Sequence, residues 1–121
     1  MSEANKAVSE RFYTEVWGQG NLAVVDDLVA ENFIDHSLPP ELPKTREGFK
    51  MFAGMFLNAF PGMKITVEDT ISEGDRVVTR WSAAGKHEGE LIGIPATGKD
   101  VIVTGISIER FADGKIVEAW G

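Results

Sequence analysis

Alternation in the second half of the chain is the feature that leaves the fold least free. Between Lys64 and Ile71 the residues Ile65, Val67, Asp69 and Ile71 fall on one side of an extended backbone, the period-2 pattern of a strand. Three more runs carry strand signals: Arg76 to Leu91, Asp100 to Phe111 and Lys115 to Trp120. Ser72-Glu73-Gly74-Asp75 marks the first turn, and Asp113-Gly114 lies between the last two runs, where Asp-Gly is a strong hairpin signal. The sequence therefore predicts an antiparallel meander.

Its central run is Arg76 to Gly89, RVVTRWSAAGKHEG. Successive strand side chains point to opposite faces, so Val77, Thr79, Trp81 and Ala83 share one side and Val78, Arg80, Ser82 and Ala84 the other. Trp81, Arg80 and, past a bend expected at Gly85, His87 place an aromatic, a cation and a titratable ring in one run.

The first half reads as helical. Ala4, Val8, Phe12 and Val16 recur at helical spacing from Glu3 to Trp17, with Tyr13 and Trp17 beside them, and Gly18-Gln19-Gly20 ends the run. Asn21 is the expected N-cap of a second helix, Leu22 to Ala30. Phe33 to His36 reads as a short extended piece, and Leu38 to Pro43 is too rich in proline for a helix or a central strand. Thr45 is the expected cap of a third helix through Phe60, in which Phe49, Phe52, Met55, Phe56 and Phe60 cover one face and Gly48 is a slight weakness. Three helices before a meander make an α+β chain, with the helices on one face of a curved sheet and a pocket between them. At 121 residues and 43% hydrophobic content, residues 1–121 read as one domain.

Composition removes several function classes. The net charge is -7 and the twelve Lys and Arg are scattered, so no nucleic-acid footprint is visible. Without cysteine there is no disulfide framework, thiolate metal site or cysteine nucleophile. No apolar run approaches the ~20 residues of a membrane span and the N-terminus lacks a signal-peptide pattern, so a cytoplasmic protein is expected.

Gly93-Ile94-Pro95-Ala96-Thr97-Gly98-Lys99 matches the spacing of a phosphate-binding loop. Asp100 replaces the hydroxyl residue and a strand follows instead of a helix, so the segment reads as a tight loop. Asp35-His36 places a carboxylate and an imidazole side by side, only one of which can face inward. His36 suits general acid/base work beside an apolar pocket, or else satisfies loop carbonyls. His87 is expected at a bent rim. A metal site from His36, His87 and a carboxylate lacks short ligand spacing, and none is expected. Among the aromatics, Tyr13, Trp17, Phe52, Phe56, Trp81 and Trp120 are the candidate substrate walls, although aromatics are more often core. Trp81 and Trp120 stand out because each has a polar neighbour, Arg80 and Glu118. If Trp120 points inward, so does Glu118, as a carboxylate with a pKa raised by burial or held by a cation.

These segments together resemble the SnoaL-like polyketide cyclase family of the nuclear transport factor 2-like superfamily. The likeness runs from about Val8 onward and rests on Phe33-Ile34-Asp35-His36, Ala59-Phe60-Pro61, Val67-Glu68-Asp69, Gly74 to Val78, Arg80-Trp81, Gly85 to Gly89, Gly93 to Lys99, and Asp113 to Trp120. It implies a cone-shaped curved antiparallel sheet around a hydrophobic pocket, dimerisation through the sheet, and intramolecular aldol chemistry on a polyketide ester without metal or organic cofactor. It also implies an acidic residue just past the last strand's tryptophan, where this sequence has Gly121, and a C-terminal continuation that a truncated chain would lack.

The expected function is thus cofactor-free acid/base chemistry on a small hydrophobic carbonyl-bearing substrate, by a cyclase, isomerase or related hydrolase. His36, His87 and Glu118 are its candidate catalytic residues. The alternatives are a non-catalytic binding module using the same pocket and a domain serving assembly alone.

Overall fold

The computed structural model describes residues 2–91 and 93–121. Helix α1 (Ser2–Arg11) passes without a break into a π-helical segment, Phe12–Trp17, closed by the Gly18 N–H donating to the Tyr13 carbonyl at 3.0 Å. Phe12, Tyr13 and Val16 in this wider turn are all buried. Such turns occur frequently at functional sites.

The second helix is shorter than its periodicity predicts. Leu22–Val24 forms a 3-10 turn, α2 covers Val25–Leu28, and Asn21 makes no side-chain cap. Val29 and Ala30 instead open strand β1 (Val29–Asp35). Val29 is fully buried and pairs with Ile116, so sheet pairing of a β-branched residue overrides the helical spacing.

Helix α3 (Arg46–Ala59) starts as expected, with the Thr45 hydroxyl accepting the Gly48 N–H at 3.2 Å. Gly48 is not a weakness. A Cβ there would stand 1.8 Å from the Pro43 carbonyl oxygen, so the proline-rich loop crossing the helix start requires the missing side chain.

The remaining strands are β2 (Lys64–Glu73), β3 (Arg76–Lys86), β4 (Asp100–Ala112) and β5 (Lys115–Trp120), in the order β1-β5-β4-β3-β2. Four of them form the expected antiparallel meander, and β1 adds to β5 in parallel. The last hairpin turns at Asp113 and Gly114, with φ of 53° and 78°, the left-handed pair of a type I′ turn. Bulges between Val67 and Asp69 and between Arg110 and Phe111 help bend the sheet. The result is a curved, unclosed sheet.

Strand β3 stops at Lys86, short of the expected Leu91. Beyond it the N–H groups of Glu88 and Gly89 donate to the Ala59 carbonyl at the end of α3, and the His87 N–H donates to Lys99. The backbone exchanges its ladder partners for a helix end. The helices cover the concave face, where Phe12, Val16, Val25, Leu28, Phe33, Phe49, Val77, Phe111 and Ile116 form the core. No helix among the described residues is long and apolar enough to cross a membrane.

Candidate active site

Register decides which polar groups meet the core. On β4, Glu109 lies opposite Val77 and Ala119, and all three face the helices. Glu109 is 2% exposed. Its carboxyl accepts from the Ser9 hydroxyl at 2.9 Å and from the Tyr13 hydroxyl at 2.9 Å, while Ser9 also meets Thr79 at 3.3 Å. Burial pushes the Glu109 pKa up to about 7, against the lowering effect of the two hydroxyls, and the Asp35 charge adds to the rise. Burial, then the Glu109 charge, also raises the Tyr13 phenol.

Asp35 is the inward member of the Asp35-His36 pair. It lies opposite Ala119 and is 5% exposed. Its Oδ1 accepts from the Ser37 N–H at 2.9 Å and from the Ser37 hydroxyl. Trp81 lies on the same sheet face, its indole N–H donating to Ser107 Oγ at 3.1 Å. The ring passes so close to Gly105 that a Cβ there would stand 2.4 Å from it. At Gly121 a Cβ would stand 3.2 Å from Ser37 Oγ and 3.6 Å from Ser107 Oγ. Gly121 therefore packs against both serines, Ser37 bound to Asp35 and Ser107 to Trp81.

His36, Glu118 and Trp120 also come together, but on the other face. Glu118 pairs across the ladder with Arg110, and Trp120 with Ile108, one step out of phase with Glu109. His36 Nε2 lies 2.7 Å from Glu118, Arg110 donates to the same carboxylate at 2.9 Å, and the His36 ring stacks on Trp120 at 5.2 Å. Arg76 lies over the Trp120 ring at 5.3 Å. The His36 side chain is 41% exposed. The hydrogen bonds from His36 and Arg110 hold the Glu118 carboxyl below its usual range. This geometry corrects the inward placement of Trp120 and Glu118: the bulge between Ile116 and Glu118, where the register with β4 shifts, turns them to the convex face although Ile116 two residues before is in the core, and a cation pairs with the carboxylate.

His87 lies elsewhere again, buried where β3 leaves the sheet. Its ring stacks on Phe60 at 5.3 Å, Nδ1 meets the Thr97 hydroxyl at 3.1 Å, and Nε2 is buried without a hydrogen-bond partner among the described residues. Trp17, Phe52 and Phe56 form a half-buried edge-to-tilted series, with ring centroids 6.5 and 4.8 Å apart. Tyr13 is buried, and its hydroxyl is committed to Glu109. A groove of about 440 Å³ runs along Glu31, Arg46 and Lys115, and one of about 290 Å³ lies at Asn5, Asp75 and Gly114. Neither contains a candidate catalytic residue.

The sequence reading missed Glu109. Its signal was the phase of β4, where Gly105, Ser107, Glu109 and Phe111 share a face, which puts a carboxylate in the buried register.

The chain matches known proteins over nearly its whole length. The SnoaL-like polyketide cyclase family profile matches residues 7–121. A proposed polyketide cyclase from Bacillus cereus ATCC 10987 is 32% identical, with a TM-score of 0.83 over 97% of this chain and 72% of the other. IdmH from Streptomyces antibioticus, also a proposed polyketide cyclase, is 31% identical, with a TM-score of 0.82 over 96% and 88%. A proposed SnoaL-like polyketide cyclase from Jannaschia sp. CCS1 is 26% identical, with a TM-score of 0.85 over 98% and 84%. The curated proteins contain no match. Profile, fold and identity agree: the chain belongs to the SnoaL-like polyketide cyclase family.

Proposed function

We propose that the chain performs cofactor-free acid/base chemistry on a small hydrophobic carbonyl compound held against the concave face. The observation that carries this reading is Glu109, a buried carboxyl brought near neutral pKa between Tyr13 and Ser9. A group with a pKa close to the working pH suits proton transfer. Moving a proton from the carbon next to a carbonyl needs only a base and a donor, so the reading requires no metal. Asp35 is the proposed base, Glu109 with Tyr13 the proposed donor system, Trp17, Phe52, Phe56 and Trp81 the walls, and His87 the rim group. His36, Glu118 and Trp120 belong to the convex face and are left out of the chemistry.

A second reading is a binding module without turnover. It is favoured by the satisfaction of Glu109, which already receives two hydrogen bonds, as a structural carboxyl would. We also propose a homodimer through the sheet, because Ile71, Ile102 and Ile106 are 67%, 78% and 60% exposed on the convex face.

Exchange of the α-protons of ethyl acetoacetate and larger β-ketoesters in D2O tests the first reading. The wild type accelerates exchange, Asp35→Asn and Glu109→Gln abolish it, and His36→Ala and Glu118→Gln retain it. Quenching of tryptophan fluorescence by the esters without exchange supports the binding module instead.

A further inference from the structure

The concave face changes character along one strand. On β4 it is built from Val103, Gly105, Ser107 and Glu109, and the pairing with β3 runs through all four without a shift, so they share one side. Glu109 is buried, whereas Val103 is 47% exposed. The helices thus cover one end of this face and leave an apolar residue uncovered at the other. Trp81 lies between the two. It stands opposite Gly105 on β3, and its indole N–H donates to Ser107 Oγ at 3.1 Å. A Cβ at Gly105 would fall inside contact distance of the indole atoms Cζ2, Cε2 and Cη2, the last at 3.0 Å. The half-buried ring therefore lies flat across β4, tied down by Ser107 and let down by the missing side chain. The backbone does not call for this glycine. Its φ is outside the left-handed region, and glycine inside a strand weakens it. Only the indole requires it.

We propose that Gly105 determines ligand size through Trp81: by letting the indole lie flat, it sets how bulky an acyl group the concave face accepts over Trp81 and Val103. This rests on the reading above, in which a carbonyl compound is held against that face. Gly105 is a positioning residue here, since it touches the ring and not the ligand. A side chain at 105 would lift the indole off the sheet, toward the side from which a ligand approaches. A small ester loses little contact area to a raised ring. A ligand with a bulky apolar acyl group loses the place where that group rests, so discrimination by size follows from one missing methyl group.

The test measures Kd by titration calorimetry for ethyl acetoacetate and for the bulkier ethyl benzoylacetate, beside α-proton exchange of both in D2O. In Gly105→Ala the ratio of the bulky to the small Kd should rise about tenfold over wild type. In a Trp81→Leu background, where no indole remains to be lifted, the same substitution should change the ratio by less than about twofold, the non-additivity of two residues in contact. Equal weakening for both esters, or an undiminished rise in the Trp81→Leu background, overturns the proposal. Should Gly105→Ala not fold, Ser107→Ala frees the ring from its hydrogen bond and must raise the ratio in the same direction; an unmoved ratio overturns it. Binding is read without turnover, so the two failures separate. Size discrimination without proton exchange in wild type removes the acid/base reading and keeps the role of Gly105, whereas exchange with an unmoved ratio does the reverse. If wild type binds neither ester saturably, both fall.

Discussion

Glu109 and Glu118 stand on neighbouring strands and face opposite sides of the sheet. The ladder pairs Glu109 with Ala119 and Arg110 with Glu118, so a single step along β4 separates the buried register from the exposed one. One carboxyl is desolvated and rises toward neutrality, while the other is held down by His36 and Arg110.

The folded-state pKa of Glu109 lies above its ordinary value of 4.5, at about 7, so the folded protein binds this proton more tightly than the unfolded chain. The group's contribution is complete below pH 4.5 and is lost as pH rises toward 7, a change of order 3 kcal/mol. Chemical denaturation of wild type and Glu109→Gln at pH 5 and pH 8 should show the variant gaining relative stability at the higher pH. Equal differences at both would contradict the raised pKa.

Gly105→Ala tests the placement of Trp81. The added carbon would stand 2.4 Å from the ring, so the indole must move, at a cost of about 1–3 kcal/mol. Its hydrogen bond to Ser107 should break, and Trp81 emission should shift. A variant with wild-type stability and emission would show that the ring does not lie over Gly105.

Gly48→Ala separates helix propensity from packing. In an open helix the change stabilises by about 1 kcal/mol. Here the new methyl meets the Pro43 carbonyl at 1.8 Å, so the melting temperature should fall.

Local signals in the sequence fix some elements and leave others to tertiary pairing. Period-2 runs, the Asp-Gly turn and the Thr45 cap are local signals, and the meander and α3 follow them. The parallel pairing of β1 with β5 is a tertiary event. It converted Val29 and Ala30 from expected helix to strand, and no local pattern announces it. For the candidate site, the Asp35-His36 alternation was legible as one inward and one outward group, but not which was which. Glu118 and Trp120 share one face of β5, as their spacing implies. That this face is convex depends on the bulge after Ile116, where the register of β5 against β4 shifts, a tertiary feature that the alternation of β5 does not announce.

The convex face yields a prediction of its own. Ile106 is 60% exposed beside the exposed Asp69–Arg80 pair. Ile106→Lys should lower the assembly to monomers in sedimentation without changing helix content. A monomeric wild type would rule out the proposed dimer.

The titration of the Glu109 carboxyl by 13C NMR, assigned with Glu109→Gln, is the most direct measurement of whether the concave face holds a proton-transfer group. A midpoint near 7 is predicted. A midpoint at the ordinary 4.5 would leave Glu109 an ionised structural carboxylate at neutral pH and contradict the account.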